Sequence, residues 1–240
     1  MEVGPGVHSR EARSRAREIK FVVNNDLGPQ IQAWMREHLQ ADEFGAGPFQ
    51  DEYATTSLYF ETPKFDVFHR RGSFGKSKFR IRRYGASPVM FLERKFRTDR
   101  VLIKRRTTVP VEDFEWLDAP APDPAWHGYW FHRRLRVRDL HPLVQVCYHR
   151  TARLGTSSTG RFRMTVDFDL RVLPLPDRAF LPGVGLPLMD GLNIVELKYC
   201  VALPAAFKEL VERFALQMQP VSKYRAGLAL LGLSPDPVHV

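Results

Sequence analysis

The chain has 240 residues, of which 44% are hydrophobic and 26% charged, a composition typical of a folded globular protein. Its 36 Lys and Arg against 27 Asp and Glu leave a formal charge of +9, which favours an anionic partner: nucleic acid, an acidic membrane surface or a phosphorylated small molecule. Only two cysteines, Cys147 and Cys200, are present, which excludes a disulfide-rich scaffold, and we expect both as buried, reduced thiols.

The N-terminal segment is polar and Arg-rich, and no apolar run reaches the length of a membrane span. A cytoplasmic location is therefore expected. The length favours one large domain over two small ones. We predict a flexible basic tail over residues 1–14, one domain over residues 15–234 and a short tail over residues 235–240.

Runs of alternating apolar and polar residues, separated by turn residues, predict strands. In chain order these runs cover residues 17–24, 54–60, 78–84, 89–96, 101–109, 143–154, 161–170 and 193–200. Helical spacing predicts a helix capped by Asp26, a short helix over residues 127–137, one opened by Pro204, and a last over residues 222–231. Proline-rich segments predict loops over residues 117–126 and 174–191.

Basic and acidic side chains share one face of these predicted strands. In residues 161–170, Phe162 and Met164 fall on one face, while Arg163 and Asp167 fall on the other. The same alternation predicts one charged face made of Glu18, Lys20, Arg80, Arg82, Glu93, Lys95, Lys104, Arg106, Arg150, Arg163, Asp167, Asp169, Glu196 and Lys198.

A closed sheet would have to cover its apolar face with the amphipathic helices and turn the charged face into a lumen. That lumen would hold nine basic and five acidic groups, which repel one another unless water, counterions or a polyanion fills the space. We therefore predict an α+β fold, a closed antiparallel β-barrel (tunnel) with helices packed on the outside. A triphosphate with Mn²⁺ or Mg²⁺ fits such a tunnel, because arginine and lysine bind phosphate and carboxylates bind the metal.

Nine short motifs, in this order, resemble the polyphosphate-polymerase domain of the vacuolar transporter chaperone (VTC) family, a branch of the triphosphate tunnel metalloenzymes. The motifs are REIKF at Arg17, SLYFET at Ser57, KFRIRRYG at Lys78, FLERK at Phe91, VLIKRR at Val101, VCYHRTA at Val146, RMTVDFDLRV at Arg163, VELKY at Val195 and SKYRAGL at Ser222. The resemblance covers residues 17–233.

This resemblance implies a polymerase that transfers the γ-phosphoryl of a nucleoside triphosphate, with ATP as the expected donor, to a polyphosphate chain. It implies phosphate contacts by Lys20, Arg80, Arg82, Lys95 and Arg150, which we expect to be catalytic, and by Lys104, Tyr148, Ser222 and Lys223, and it implies a metal ligand at Glu196. The charged face adds Arg106, Arg163 and Lys198 as substrate-binding residues and Glu18 as a second metal ligand.

Two alternatives remain open. The superfamily opens with Glu-x-Glu-x-Lys, whereas this chain has Ala16, Glu18 and Lys20, so metal binding of the hydrolase type is in doubt. A metal-dependent tri- or polyphosphate hydrolase is the second candidate, and a non-catalytic polyphosphate- or nucleotide-binding module is the third. Nucleic acid is not expected, because Phe79, Phe162 and Phe168 lie opposite the basic face and are unavailable for base stacking. Neither a regulatory nor a membrane-protein partner can be identified from the sequence.

Overall fold

The structure, a computed structural model, describes residues 9–14, 17–42, 45–97, 102–182 and 184–235. Its strands are β1 (Ser9–Ser14), β2 (Arg17–Asn24), β3 (Gln40–Ala41), β4 (Glu52–Glu61), β5 (Lys76–Tyr84), β6 (Val89–Arg97), β7 (Leu102–Pro110), β8 (His141–Ser157), β9 (Gly160–Pro174), β10 (Leu186–Pro187) and β11 (Leu192–Tyr199). Its α-helices are α1 (Leu27–His38), α2 (Asp66–His69), α3 (Tyr129–Val137), α4 (Ala205–Arg213) and α5 (Lys223–Leu230). The predicted α+β class is confirmed.

The residues group into two compact units, each built from separate stretches of the chain. The first unit contains the described parts of residues 1–14, 56–145 and 174–182. The second contains those of residues 15–55, 146–173 and 183–240. Strands β4, β8 and β9 therefore contribute residues to both units.

In the first unit the strand order is β1-β7-β6-β5-β4. β6 pairs antiparallel with β5 on one side and with β7 on the other, so side chains of the three strands stand in rows across the sheet. Ile81 and Leu92 belong to the apolar face, which packs in a core with Phe131 of α3. The alternate residues, which carry most of the charges, project from the other face.

In the second unit the strand order is β8-β9-β11-β2, with β3 beside β8 and β10 beside β9. The pairings of β11 with β9 and with β2 are antiparallel. Met164 of β9 and Val195 of β11 share a core with Trp34 of α1 and Phe207 of α4. Helices thus cover the apolar face of these strands, as the alternation predicts.

The N-terminal segment differs from the prediction. Ser9–Ser14, expected within a flexible tail, forms β1 and pairs antiparallel with β7. A sheet edge presents unpaired backbone N–H and C=O groups, and an extended segment can satisfy them without an apolar pattern of its own. Composition alone therefore gives no signal for this strand.

Two local predictions need correction. Asp26 is the N-cap residue of α1, as predicted, but its side chain makes no capping hydrogen bond, and the backbone N–H of Leu27 donates to Oδ1 of Asn24 (2.9 Å). Cys200 is exposed just beyond β11 and Cys147 is half-buried, although both are free thiols as expected.

The described pairings do not close the sheet into a ring, and the closed barrel stays a prediction. Among the described residues, no helix combines the length and apolarity needed to cross a membrane.

Candidate functional site

The first unit places like charges directly opposite one another on neighbouring strands. Lys95 of β6 stands opposite Lys78 of β5 on one side and Lys104 of β7 on the other. Like charges directly opposite in a sheet are destabilising. A bound anion would lower that cost, so this lysine row suits an anionic ligand.

The next row of the same face is centred on a carboxylate. Glu93 stands between Arg80 and Arg106 in the strand register and is only 2% exposed. Nε of Arg80 donates a hydrogen bond to Oε2 of Glu93 (2.6 Å). Nζ of Lys104 lies 3.0 Å from Oε1, and Nε of Arg106 lies 3.1 Å from the same oxygen. One buried carboxylate thus holds three of the predicted phosphate-binding residues.

The pKa values of this cluster follow from burial and charge together. Burial raises the pKa of Glu93, but the surrounding cations, Arg80 first and Lys104 second, outweigh it and hold this pKa well below its ordinary value. Burial also lowers the pKa of Lys104, against the attraction of Glu93 and with the help of Arg106, to about 8. Lys104 therefore changes charge close to physiological pH.

Two arginines of this unit, Arg82 and Arg106, have further contacts on the charged face. Arg82 is buried, and its Nε donates a hydrogen bond to Oγ of Ser57 (3.0 Å). The guanidinium of Arg106 lies 3.7 Å from the ring centre of Phe91 and donates through Nη2 to the hydroxyl of Tyr84 (2.9 Å). Both side chains therefore have fixed orientations.

In the second unit, both predicted metal ligands lie beside the same lysine. Nζ of Lys20 is 3.3 Å from an oxygen of Glu18 and 3.5 Å from an oxygen of Glu196. The two carboxylates are therefore no farther apart than the sum of these two distances. Burial alone would lower the pKa of Lys20, but Glu196 and Glu18 outweigh it and raise this pKa above its ordinary value.

Asp167 is the second buried carboxylate that contacts residues predicted to bind phosphate. It is fully buried and accepts two hydrogen bonds from Arg150, at 2.6 and 2.8 Å, and one from Nζ of Lys223. Tyr148 lies beneath both cations, with its ring centre 5.3 Å from the guanidinium carbon of Arg150 and 4.7 Å from Nζ of Lys223. Burial raises the pKa of Asp167, but Arg150 and Lys223 overcome this and lower it to about 2.

The remaining predicted residues of this unit have different surroundings. Arg163 pairs with Asp42 (2.6 Å) and donates to the hydroxyl of Tyr53 (2.8 Å). Lys198 stands opposite Glu18 in the register and forms no ion pair within the described part of the chain. Ser222 is the N-cap of α5, where its hydroxyl accepts from the backbone N–H of Arg225 (3.5 Å).

Asp169 does not belong to the charged face. Its backbone φ of +45° interrupts the strand pleat, and its side chain is exposed and pairs with Arg171 (2.8 Å). A break of this kind cannot be read from alternation, which assumes regular extended backbone at every residue.

The structure adds residues that the sequence alone did not assign. Ser57, Tyr84, Asp42 and Tyr53 fix arginines of the charged faces, while Glu93 and Asp167 organise several cations each. The alternation placed both carboxylates on the charged face. The strand register shows which cations surround Glu93, and the side-chain contacts show those around Asp167.

A divalent metal ion would need oxygen donors from this charged face. Within the residues that the structure describes, no group of three or more Asp, Glu, His or Cys side chains converges as a complete metal site. Glu18 and Glu196 offer two carboxylates, and Mg²⁺ commonly uses one or two carboxylates together with substrate phosphates and water. The residues present therefore fit a metal that arrives with a phosphate ligand.

The sequence profile of the VTC domain matches residues 15–232, more than four-fifths of the chain. The chain belongs to the VTC domain family. This confirms the family indicated by the nine motifs. No match to a protein of curated function was found.

Solved structures with a similar fold share little sequence with this VTC domain. A candidate adenylate cyclase from Bacillus halodurans is 15% identical, with a TM-score of 0.54, and the match covers 88% of this chain and 95% of that one. A candidate adenylyl cyclase from Hippeastrum, described as having a dominant triphosphatase activity, is 15% identical with a TM-score of 0.46 over 91% and 97% of the two chains. The first of these supports the fold assignment.

Proposed function

We propose that this VTC domain is a metal-dependent polyphosphate polymerase, which transfers the γ-phosphoryl of a nucleoside triphosphate, with ATP as donor, to a polyphosphate chain. The observation that carries the proposal is the row of Lys78, Lys95 and Lys104 directly opposite one another, next to the cluster around Glu93. Such a concentration of positive charge is stabilised by a polyanion. Family membership agrees with this ligand class.

In the proposed step, a terminal oxygen of the acceptor phosphate attacks the γ-phosphorus and forms a P–O bond. The bond from that phosphorus to the β-γ bridging oxygen breaks, and the nucleoside diphosphate leaves with the electron pair. The acceptor oxygen is ionised at neutral pH, so the reaction needs no general base. Alignment and charge neutralisation carry most of the catalysis in phosphoryl transfer.

We assign phosphate-binding residues to both units. Arg80, Arg82, Lys95, Lys104 and Arg106 would bind phosphate oxygens from the first unit. The second unit would contribute Lys20, Tyr148, Arg150, Arg163, Lys198, Ser222 and Lys223. A closed barrel, the fold that the family resemblance implies, is part of this proposal.

The proposed metal ligands are Glu18 and Glu196. Mn²⁺ or Mg²⁺ held there would neutralise phosphate charge and polarise the phosphoryl group. Lys20, which lies against both carboxylates, holds them in place in the free protein and would turn toward phosphate when substrate binds.

Hydrolysis is the second candidate function, because Glu18 is a carboxylate that can orient a water molecule toward the γ-phosphorus. The deciding experiment incubates purified protein with ATP and Mn²⁺ and resolves the products by gel electrophoresis. A ladder of phosphate chains is expected, and Glu196→Gln should abolish it. ADP and free phosphate without any phosphate chains would favour the hydrolase, while the absence of any turnover would leave only a binding module.

A further inference from the structure

Glu93 occupies an unusual position in the first unit. It is the acidic residue of the row Arg80–Glu93–Arg106, and its carboxylate is almost fully buried. Each carboxylate oxygen has its own partners: Oε2 accepts from Arg80, while Oε1 lies between Lys104 and Arg106. The carboxylate is therefore surrounded by cations of β5 and β7, the two strands that flank its own strand.

These contacts hold the side chains of Arg80 and Arg106 in one orientation. Glu93 engages Arg80 and Arg106 through Nε, near the base of each guanidinium, rather than through the terminal nitrogens. Arg106 is held at a second point by Tyr84 and a third by the face of Phe91. Long basic side chains lose considerable rotamer entropy when they are immobilised, and Glu93 stabilises that ordered state before any ligand binds.

An argument from charge alone predicts the opposite effect of removing Glu93. A carboxylate among four cations reduces the positive potential, so its removal would strengthen polyanion binding if potential were the dominant factor. If the ordering of the basic side chains is dominant, removal of Glu93 weakens polyanion binding. The two effects have opposite signs, which makes them separable by experiment.

We propose that Glu93 is a positioning residue of the phosphate site, which orients Arg80, Lys104 and Arg106 toward phosphate oxygens without contacting the substrate or a metal. This inference rests on the proposed function, since it presumes that the basic cluster binds phosphate. It also assigns Glu93 a role distinct from Glu18 and Glu196, because its two oxygens are occupied by cations of the protein.

The test measures tripolyphosphate binding by isothermal titration calorimetry without added metal, using wild type, Glu93→Gln and Glu93→Asp. We expect Glu93→Gln to bind at least about tenfold more weakly although its net charge is one unit more positive. Glu93→Asp keeps the charge but shortens the side chain, and we expect it to bind more weakly than wild type as well. Glu115→Gln, an exposed residue of the same unit, makes the same charge change and should bind within about twofold of wild type.

A second readout separates positioning from a general loss of fold. Glu93 raises the pKa of Lys104, so in Glu93→Gln the loss of affinity with rising pH should begin at lower pH than in wild type. Circular dichroism establishes that each variant is folded, and Glu93→Asp replaces Glu93→Gln if the latter does not fold. If the folded variants bind tripolyphosphate as tightly as wild type or more tightly, the role assigned to Glu93 is wrong, while the proposed function is unaffected. Failure of wild type to bind tripolyphosphate would instead overturn the proposed function.

Discussion

At the scale of single residues, the charged faces owe their properties to a few buried carboxylates. Glu93 and Asp167 each neutralise part of a cationic cluster, and the geometry of the arginines and lysines around them depends on these contacts. Removing one partner of a buried ion pair leaves an uncompensated charge and costs about 3–5 kcal/mol. The carboxylates are therefore as important to the site as the cations predicted to touch phosphate.

Lys104 gives the site a pH dependence. Its pKa of about 8 in the free protein means that its charge is present below that pH and lost above it. Tripolyphosphate affinity of wild type should therefore fall, relative to a Lys104→Arg variant that stays charged, as pH rises from 7 to about 9.5. Bound phosphate raises the pKa of Lys104, so the difference should approach about tenfold per pH unit only above pH 8. Titration calorimetry across this range measures it, and parallel curves for the two proteins would contradict it.

Asp167 makes a stability contribution with the opposite pH dependence. Its pKa is lowered from 3.8 to about 2 in the folded state, so its contribution is complete above pH 4 and is lost as pH falls toward 2. Asp167→Asn should lower the free energy of unfolding by about 2–3 kcal/mol at pH 7. Urea unfolding should show this difference shrinking between about pH 4 and pH 2. A difference that is constant over that window would mean that the carboxylate charge is not responsible.

At the scale of elements, the alternation of apolar and polar residues was enough to locate the long strands, because each strand has one buried face. Arg17–Asn24 was predicted with the observed ends, and the other long strands were located to within a few residues. β1 was missed, since it lies at a sheet edge and carries no apolar alternation. The N-cap position of α1 was predicted correctly at Asp26, but the side chain that accepts from the helix belongs to Asn24, because both residue types can cap and only the backbone path decides between them.

The site was predicted less completely than the strands, for a physical reason. Alternation tells which side chains share a face, but contacts across strands depend on register, which was not available from the sequence. The cluster around Glu93 follows from the register of β5, β6 and β7. Asp169 was misplaced for a related reason, because one residue with positive φ ends the alternation.

Helix α1 is attached to its unit by a buried ion cluster outside the proposed site. Asp51 is fully buried and pairs with Arg36 of α1 (3.1 Å) and with Arg153 of β8 (2.9 Å). Asp51→Asn should destabilise the protein by about 3 kcal/mol and speed amide exchange in α1. Tripolyphosphate binding by the folded variant should remain within about twofold of wild type. Hydrogen exchange followed by mass spectrometry tests the first part, and unchanged protection of α1 would contradict it.

At the scale of the whole molecule, membership of the VTC family and the antiparallel α+β fold are established, while the activity is a proposal built on charge and chemistry. Each unit carries a face on which basic residues cluster around buried carboxylates. The proposed function requires the charged face of each unit to bind phosphate. If so, a substitution in either face must weaken the binding of polyphosphate.

The most direct test is therefore calorimetric titration of tripolyphosphate into Arg80→Ala from the first unit and Lys20→Ala from the second. Arg133→Ala and Lys208→Ala remove exposed charges of the two units outside the charged faces and serve as matched controls. We expect both face variants to lose about tenfold or more in affinity and both controls to stay within about twofold of wild type. Equal effects in all four variants, or an effect confined to one unit, would contradict phosphate binding by both charged faces.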